Sequence, residues 1–441
     1  MVKSDTKKSD TNALDQLFSA EAVRQRCYQV GEFAERNQTK WFSYHPEKLG
    51  DCIHRVVGVC VENYPSLDIP LHSRWRHFVV QKKENPSVST DLWAHHVSGF
   101  SVNREALAKS AIDLAFVSVL LDAGAGGSWI YHDSITGQRL SRSEGLAAAS
   151  INFFFKHLAR FDSNRGWWVD AHALETLSIH QLAEGFQSSD TNPLIGLSGR
   201  LELLKGLGRV LSKSNVLSRP GDLYDQCIAL SQQEDRGKEA RNQQSHTIAA
   251  ASILRLILMG FGDIWPSGYD HKGVNLGDCG YYNGVEGEAG TDGIVAFHKL
   301  SQWLSYSLVE PLEWGGFKVT GLDELTGLPE YRNGGLLLDS GVLQVKERIE
   351  DKVEDKTRGS GILARPLALA SEPVVEWRAL TVYLLDKIAE GVRTELGKNS
   401  EELPLCSVLQ GGTWATGRIL AMEKRGDGSP PLKLAINGTI F

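Results

Sequence analysis

Apolar residues return every three or four positions in segment after segment of this chain, and that spacing calls for amphipathic helices that each bury one stripe. The segments run from Leu14 to Val30, Leu49 to Val61, Ala106 to Leu121, Leu174 to Phe186, Leu197 to Leu211, Leu223 to Gln232, Thr247 to Met259 and Val375 to Leu396. A further helix is expected from about Gly293 to Glu310, bounded by Pro311, and a short one from Gly417 to Glu423. Ser141-Arg142-Ser143-Glu144 has the spacing of a capping box and opens another, to about Arg160. The fold class is therefore mainly α. The expected β component is minor: a hairpin of Ser128–His132 and Gln138–Leu140 around Thr136-Gly137, and a terminal strand over Lys433–Phe441.

Residues 1–12 carry too little apolar surface to order themselves and read as a disordered tail, and the charge run at 346–361 reads as an exposed insertion. Residues 265–292, rich in Gly, Tyr and Asp, read as a long binding loop. Length alone suggests about three domains. The glycine blocks at 124 and 126, 315 and 316, 334 and 335, and 411 and 412 argue otherwise. They accompany chemically capable residues over most of the length, where bare backbone would let a ligand approach. They converge only if residues 13–441 fold as a single unit around one pocket.

Lys plus Arg number 47 against 54 Asp plus Glu, a net charge of -7 that disfavours nucleic acid and anionic membrane and favours a small-molecule partner. The N-terminus has no apolar core of a secretory signal, and the longest apolar stretches are interrupted by charges such as Arg255, so an intracellular, cytoplasmic protein is expected. Six cysteines without a CxxC pair read as reduced and structural. P-loop, zincin, α/β-hydrolase and Rossmann signatures are missing. Neither His72 with His77 nor His95 with His96 has the spacing of ligands on one helix face, so no metal and no cofactor is expected.

At about 100° per residue, Phe297, Leu300, Leu304 and Leu308 form the buried stripe of their helix. His298, Gln302 and Ser305 take a second face, and Lys299, Trp303, Tyr306 and Glu310 a third. These residues either orient a polar ligand or are satisfied between helices. Asp292 is either a ligand group or the N-cap of that helix. Tyr331, Arg332 and Asn333 precede Gly334-Gly335 and Asp339, so Arg332 either grips a phosphate or carboxylate from a glycine-rich turn or pairs with Glu330 or Asp339. Glu376 with Arg378, Trp414 with Arg418, and Arg74 with Arg76 repeat the same chemistry. With Asp122 they complete a set of carboxylates, cations and aromatics suited to a polar, anionic small molecule.

The blocks HSRWRHF, LLDAGAG, RSEGLA, FHKLSQWLSYSLVEPLEWGG, LTGLPEYRNGGLLLD, VVEWRALTVYLLD and LQGGTWATGR, in this order from about residue 20 onward, resemble the uracil catabolism protein four family of fungi and bacteria. The resemblance implies a part in the route that converts uracil to its ribonucleotide, opens the ring and breaks down a urea-bearing ribosyl compound, beside a protein similar to GTP cyclohydrolase II. The fold is expected to resemble the helical nucleotide hydrolases of queuosine salvage. The expected activity is hydrolysis of the N-ribosidic bond of a ribosylurea or its phosphate. The alternatives are an amidohydrolase or deaminase acting on ring-opened uridine monophosphate, and a noncatalytic partner of the ring-opening enzyme. Asp339 or Asp122 is the expected carboxylate at the anomeric carbon, with Asp292, His298 and Glu376 as further catalytic candidates. Arg332 and Arg418 are expected on phosphate, and Arg74, Arg76, Arg378, Gln302, Trp303, Tyr306, Tyr331, Asn333 and Trp414 around the substrate.

Overall fold

The computed structural model describes residues 14–82, 85–235, 246–265, 269–271, 273–288, 290–346 and 366–435. The expected tail, all but Lys346 of the charged insertion, and most of the expected terminal strand lie outside these residues. Leu434, inside them, makes an isolated parallel bridge to Leu367.

The principal helices are α1 (Ala20–Glu35), α2 (Leu49–Asn63), α3 (Arg104–Leu120), α4 (Arg142–Phe153), α5 (Leu197–Lys213), α6 (Leu223–Asp235), α7 (Ala250–Phe261), α8 (Lys299–Gly315), α9 (Tyr331–Asp339), α10 (Glu372–Leu396) and α11 (Trp414–Arg425). Strands pair only two at a time, so the chain is mainly α with a minor β component, as the periodicity requires. The hairpin forms as Tyr131–His132 against Arg139–Leu140. Among the described residues, no helix is long and apolar enough to cross a membrane.

Packing groups the described residues into two compact units, each drawn from separated stretches of chain. Unit one lies within Met1–His72, Ser267–Gln302 and Gly321–Ala435. Its long helix α10 packs against α1 and α2, and α9 packs against α11. Phe42–Tyr44 pairs antiparallel with Leu343–Val345, and Cys279–Tyr281 with Ile294–Ala296. Unit two lies within Ser73–Pro266 and Trp303–Thr320. Its centre is α3, where every residue from Ser110 to Leu120 is buried, as expected of a helix that is apolar nearly all round. His246–Ala249 pairs in parallel with Phe317–Thr320.

Several local expectations are corrected by contacts far away in sequence. The helix expected at Gly293 begins at Lys299, because Ile294–Ala296 is taken up as a strand. Its first amide is capped by Asp278, whose carboxylate accepts from Lys299 N at 2.9 Å, whereas Asp292 accepts from Gly287 N at 2.8 Å. Nor does the helix stop at Pro311. Proline cannot donate to the carbonyl four residues back, and that orphan, Ser307 O, accepts instead from the Trp75 indole at 2.7 Å. The helix therefore continues to Gly315.

Ser141 makes no side-chain cap, so the capping box does not form. The expected 174–186 helix is two short ones, Ala171–Glu175 and Ile179–Gly185, and Thr247–Ala249 belongs to a strand that precedes α7. Short strands occupy part of the expected 265–292 loop.

The glycine pairs are explained differently too. A Cβ at Gly334 would lie 2.6 Å from the Trp377 ring, at Gly411 2.7 Å from Ile69, at Gly412 2.5 Å from Val56 and at Gly315 2.4 Å from Tyr224. They admit neighbouring side chains of the protein itself. The stretch Leu409–Thr413 is a π-helical turn leading into α11, and Arg332 sits in the first turn of α9, not in a glycine-rich turn.

Candidate functional site

Two sets of the expected residues gather, one in each unit. In unit two the short helical turn Arg74–Phe78 places Arg74 with no solvent exposure. Its Nε donates to Ser118 Oγ at 2.6 Å, and that hydroxyl is 2.6 Å from Ser150 Oγ. Its Nη1 donates to Asp122 Oδ1 at 2.5 Å, and its backbone amide donates to Ser307 Oγ at 3.0 Å. The guanidinium carbon lies 5.7 Å from the Trp303 ring centre and 5.8 Å from that of Phe78. Burial lowers the Arg74 pKa, opposed by the negative charges of Asp122 and Glu144. Nη2 has no hydrogen-bond partner among the described residues. A buried donor of this kind costs about 1–3 kcal/mol when left unmade, so its persistence beside a carboxylate calls for an explanation.

Asp122 lies just beyond the C-terminus of α3, and its side chain keeps 9% exposure. The stretch that follows Asp122 is buried at Ala123 and Ala125. Arg200, on α5 and without solvent exposure, holds it: Nε donates to Leu121 O at 2.9 Å, Nη2 to Ala123 O and, at 3.1 Å, to Gly124 O, and Nη1 to Ile195 O. Burial pushes the Arg200 guanidinium down to about 10, with Asp122 acting against that shift. It stays protonated near neutrality. Arg200 was missed in the sequence, although a signal was there: it sits in phase with the buried Leu204, Leu207 and Leu211 stripe of its helix.

Nearby in the same unit, Glu310 accepts from Ser73 Oγ at 2.6 Å and from Arg76 Nη2. Burial raises the Glu310 pKa against the pull of Arg76. Trp303 and Tyr306 are buried on α8.

In unit one, α9 and α11 bring Tyr331, Arg332, Asn333, Trp414 and Arg418 to neighbouring positions. Arg332 lies 5.0 Å over the Tyr331 ring and donates to Gly428 O at 2.9 Å. Arg418 is exposed, its guanidinium carbon 6.0 Å from the Trp414 ring centre. Glu330 caps α9, accepting from Arg332 N and Asn333 N at 2.6 Å each, so its contact with Arg332 is through the backbone amide. Asn333 donates to Leu328 O and accepts from Thr413 Oγ1. The His72 imidazole is 2.9 Å from Gln410 Oε1, and burial, aided by the Lys299 charge, lowers it to about 4.

Other expected residues are engaged within the frame of unit one. Both Asp339 oxygens accept from Arg425, at 2.8 and 2.6 Å. Glu376 accepts the amides of Lys40, Trp41 and Phe42 at 2.8–2.9 Å and the Tyr282 hydroxyl at 2.6 Å. Arg378 forms a two-pronged pair with Asp278 at 2.7 and 2.8 Å. His298, buried and at a positive φ of 47°, has Nε2 3.0 Å from Leu17 O. Gln302 bridges to Thr326 and Phe297 O. Among the described residues, no three His, Cys, Asp or Glu side chains gather as metal ligands would.

Fold and site together describe a helix-rich protein with carboxylates held by buried arginines. Residues 16–441 match the family described as "Protein of unknown function (DUF1688)", and the chain belongs to that family. It is 35% identical over 437 residues to Protein urg3 of Schizosaccharomyces pombe, covering 98% of this chain and 100% of that protein. It is 33% identical over 450 residues to Uracil catabolism protein 4 of Lachancea kluyveri, covering 98% and 99%. The family resemblance carried by the motif blocks is thereby borne out.

Proposed function

We propose that this chain acts in uracil catabolism by hydrolysing the N-ribosidic bond of a ribosylurea or its phosphate, at the Arg74–Asp122 cluster. The kinship with Uracil catabolism protein 4 supports the pathway. The observation that carries the reaction is the Arg74 Nη2 donor, unmatched among the described residues and held beside the Asp122 carboxylate in a nearly water-free setting.

Cleavage breaks the bond from the anomeric carbon to the urea nitrogen, which leaves with the electron pair. Charge then develops in two places: positive on the sugar ring, negative on the departing urea. A carboxylate hydrogen-bonded to a guanidinium is a weak base and a persistent negative charge, so Asp122 stabilises the oxocarbenium-like ring. The free Nη2–H of Arg74 donates to the urea oxygen and spreads the negative charge of the leaving group. A water oxygen bonds to the anomeric carbon, one of its protons ends on the urea nitrogen, and the products are urea and ribose or ribose phosphate. The indole of Trp303 supplies an apolar wall to the planar urea. The ring-opening enzyme similar to GTP cyclohydrolase II supplies the precursor and is a functional partner.

The test gives purified full-length chain ribosylurea, ribosylurea 5′-phosphate and ring-opened uridine monophosphate, with and without the cyclohydrolase-like partner, and measures urea, ammonia and ribose products. Equimolar urea and ribose product without ammonia is expected. Ammonia with the ribosidic bond intact would indicate an amidohydrolase or deaminase. No product from any substrate would leave the noncatalytic partner reading.

A further inference from the structure

We infer that Arg200 is a positioning residue that sets the Asp122 carboxylate by clamping the backbone on both sides of it; this rests on the reading of Asp122 as the reacting carboxylate.

A fully buried arginine is ordinarily matched by a carboxylate, because desolvating its charge is costly. Arg200 makes no ion pair with a carboxylate among the described residues; its partners are the four backbone carbonyls of Leu121, Ala123, Gly124 and Ile195. Three of them lie within two residues of Asp122. The planar guanidinium fixes several acceptors at once, in a way the single ammonium of lysine does not reproduce. The clamp continues through Ile195 N, which donates to Ala125 O at 3.3 Å. Beside it, Gly126 has a φ of 88°, and a Cβ there would lie 2.8 Å from the Ile195 side chain. The segment after α3 is thus docked on the residues that lead into α5, while the Asp122 carboxylate accepts from Arg74. Asp122 is held from two directions: its oxygen by Arg74, its backbone by Arg200.

The test compares Arg200→Met and Arg200→Lys in the full chain, alone and combined with Asp122→Asn. Three quantities are read: kcat and KM for urea release, hydrogen–deuterium exchange of a peptide spanning residues 119–128, and thermal unfolding. Arg200→Met is expected to lower kcat by about 10-fold to 100-fold with KM within about threefold, as a misplaced catalytic group does. Arg200→Lys should recover part of that loss. In the Asp122→Asn background Arg200→Met should cost no further activity, since it acts through the missing group. Exchange should rise in the 119–128 peptide and stay unchanged in α10.

Multiplicative losses in the double variant, or a fall in kcat that only follows a general loss of fold, would overturn the inference. Should Arg200→Met not fold, Arg200→Lys is read in its place by the same criteria. If the wild-type chain releases no urea, the hydrolase reading has failed, and exchange alone decides Arg200: local acceleration sustains the clamp and unchanged exchange refutes it.

Discussion

The Arg74 guanidinium donates to Asp122 across 2.5 Å while Arg74 itself has no contact with solvent. The two residues come from different elements, a short helical turn and the end of α3, and their pairing joins a charge that cannot leave to a carboxylate that keeps a narrow exposure to solvent. Elsewhere both Asp339 oxygens accept from Arg425, and Glu376 accepts from a row of backbone amides.

Asp339→Asn and Glu376→Gln should therefore act on stability, not chemistry. Each replaces an acceptor-only carboxylate with an amide that must turn a donor toward existing donors. A loss of about 1–3 kcal/mol is expected in urea unfolding for each. Turnover of the folded fraction should stay within about threefold of wild type. A 100-fold fall in kcat for either variant, with its fold intact, would return that carboxylate to the reacting set.

His72 should make stability depend on pH. Burial lowers its imidazole to about 4 from the ordinary 6.5, with Lys299 adding to the effect and Gln410 opposing it. Between those values the unfolded chain binds the extra proton and the native chain does not, so native stability is present above 6.5 and is lost as pH falls toward 4. The loss amounts to about 3 kcal/mol. His298 is lowered by burial as well and contributes in the same sense. The measurement is therefore the difference between wild type and His72→Gln in denaturant unfolding from about pH 7 to about pH 4. The variant should show the shallower fall, and parallel curves would count against a buried neutral His72.

Gly417 is where α11 meets α9, since a Cβ there would lie 2.4 Å from Arg332 O. Gly417→Ala must push two helices apart at backbone and should cost about 1–3 kcal/mol. A Cβ at Gly58, inside α2, would meet nothing within 4 Å, so Gly58→Ala should instead add about 0.5–1 kcal/mol through helix propensity. Paired denaturant midpoints for the two variants, moving in opposite directions, are the expected result.

Most of the helical frame was legible in the sequence because burial of one stripe per helix leaves a period that needs no tertiary knowledge. What escaped was set by partners distant in the chain. Pro311 reads as a stop, yet Trp75 satisfies the carbonyl it orphans. Asp292 reads as either a ligand group or the cap, yet Asp278 provides the cap. The candidate site was legible as residue types and not as pairings: Arg74, Asp122 and Trp303 were named, while Asp339, equally plausible beside glycines, is matched by Arg425. Arg200 stood in plain view in an apolar stripe, and only the structure gave its target.

The most direct measurement is the rate of urea release from ribosylurea 5′-phosphate by wild type and by Asp122→Asn, with both proteins matched for fold by circular dichroism. Steady urea release by wild type and a loss of about 100-fold or more in kcat for the variant are expected. Full turnover by Asp122→Asn, or no urea from wild type, would contradict the account.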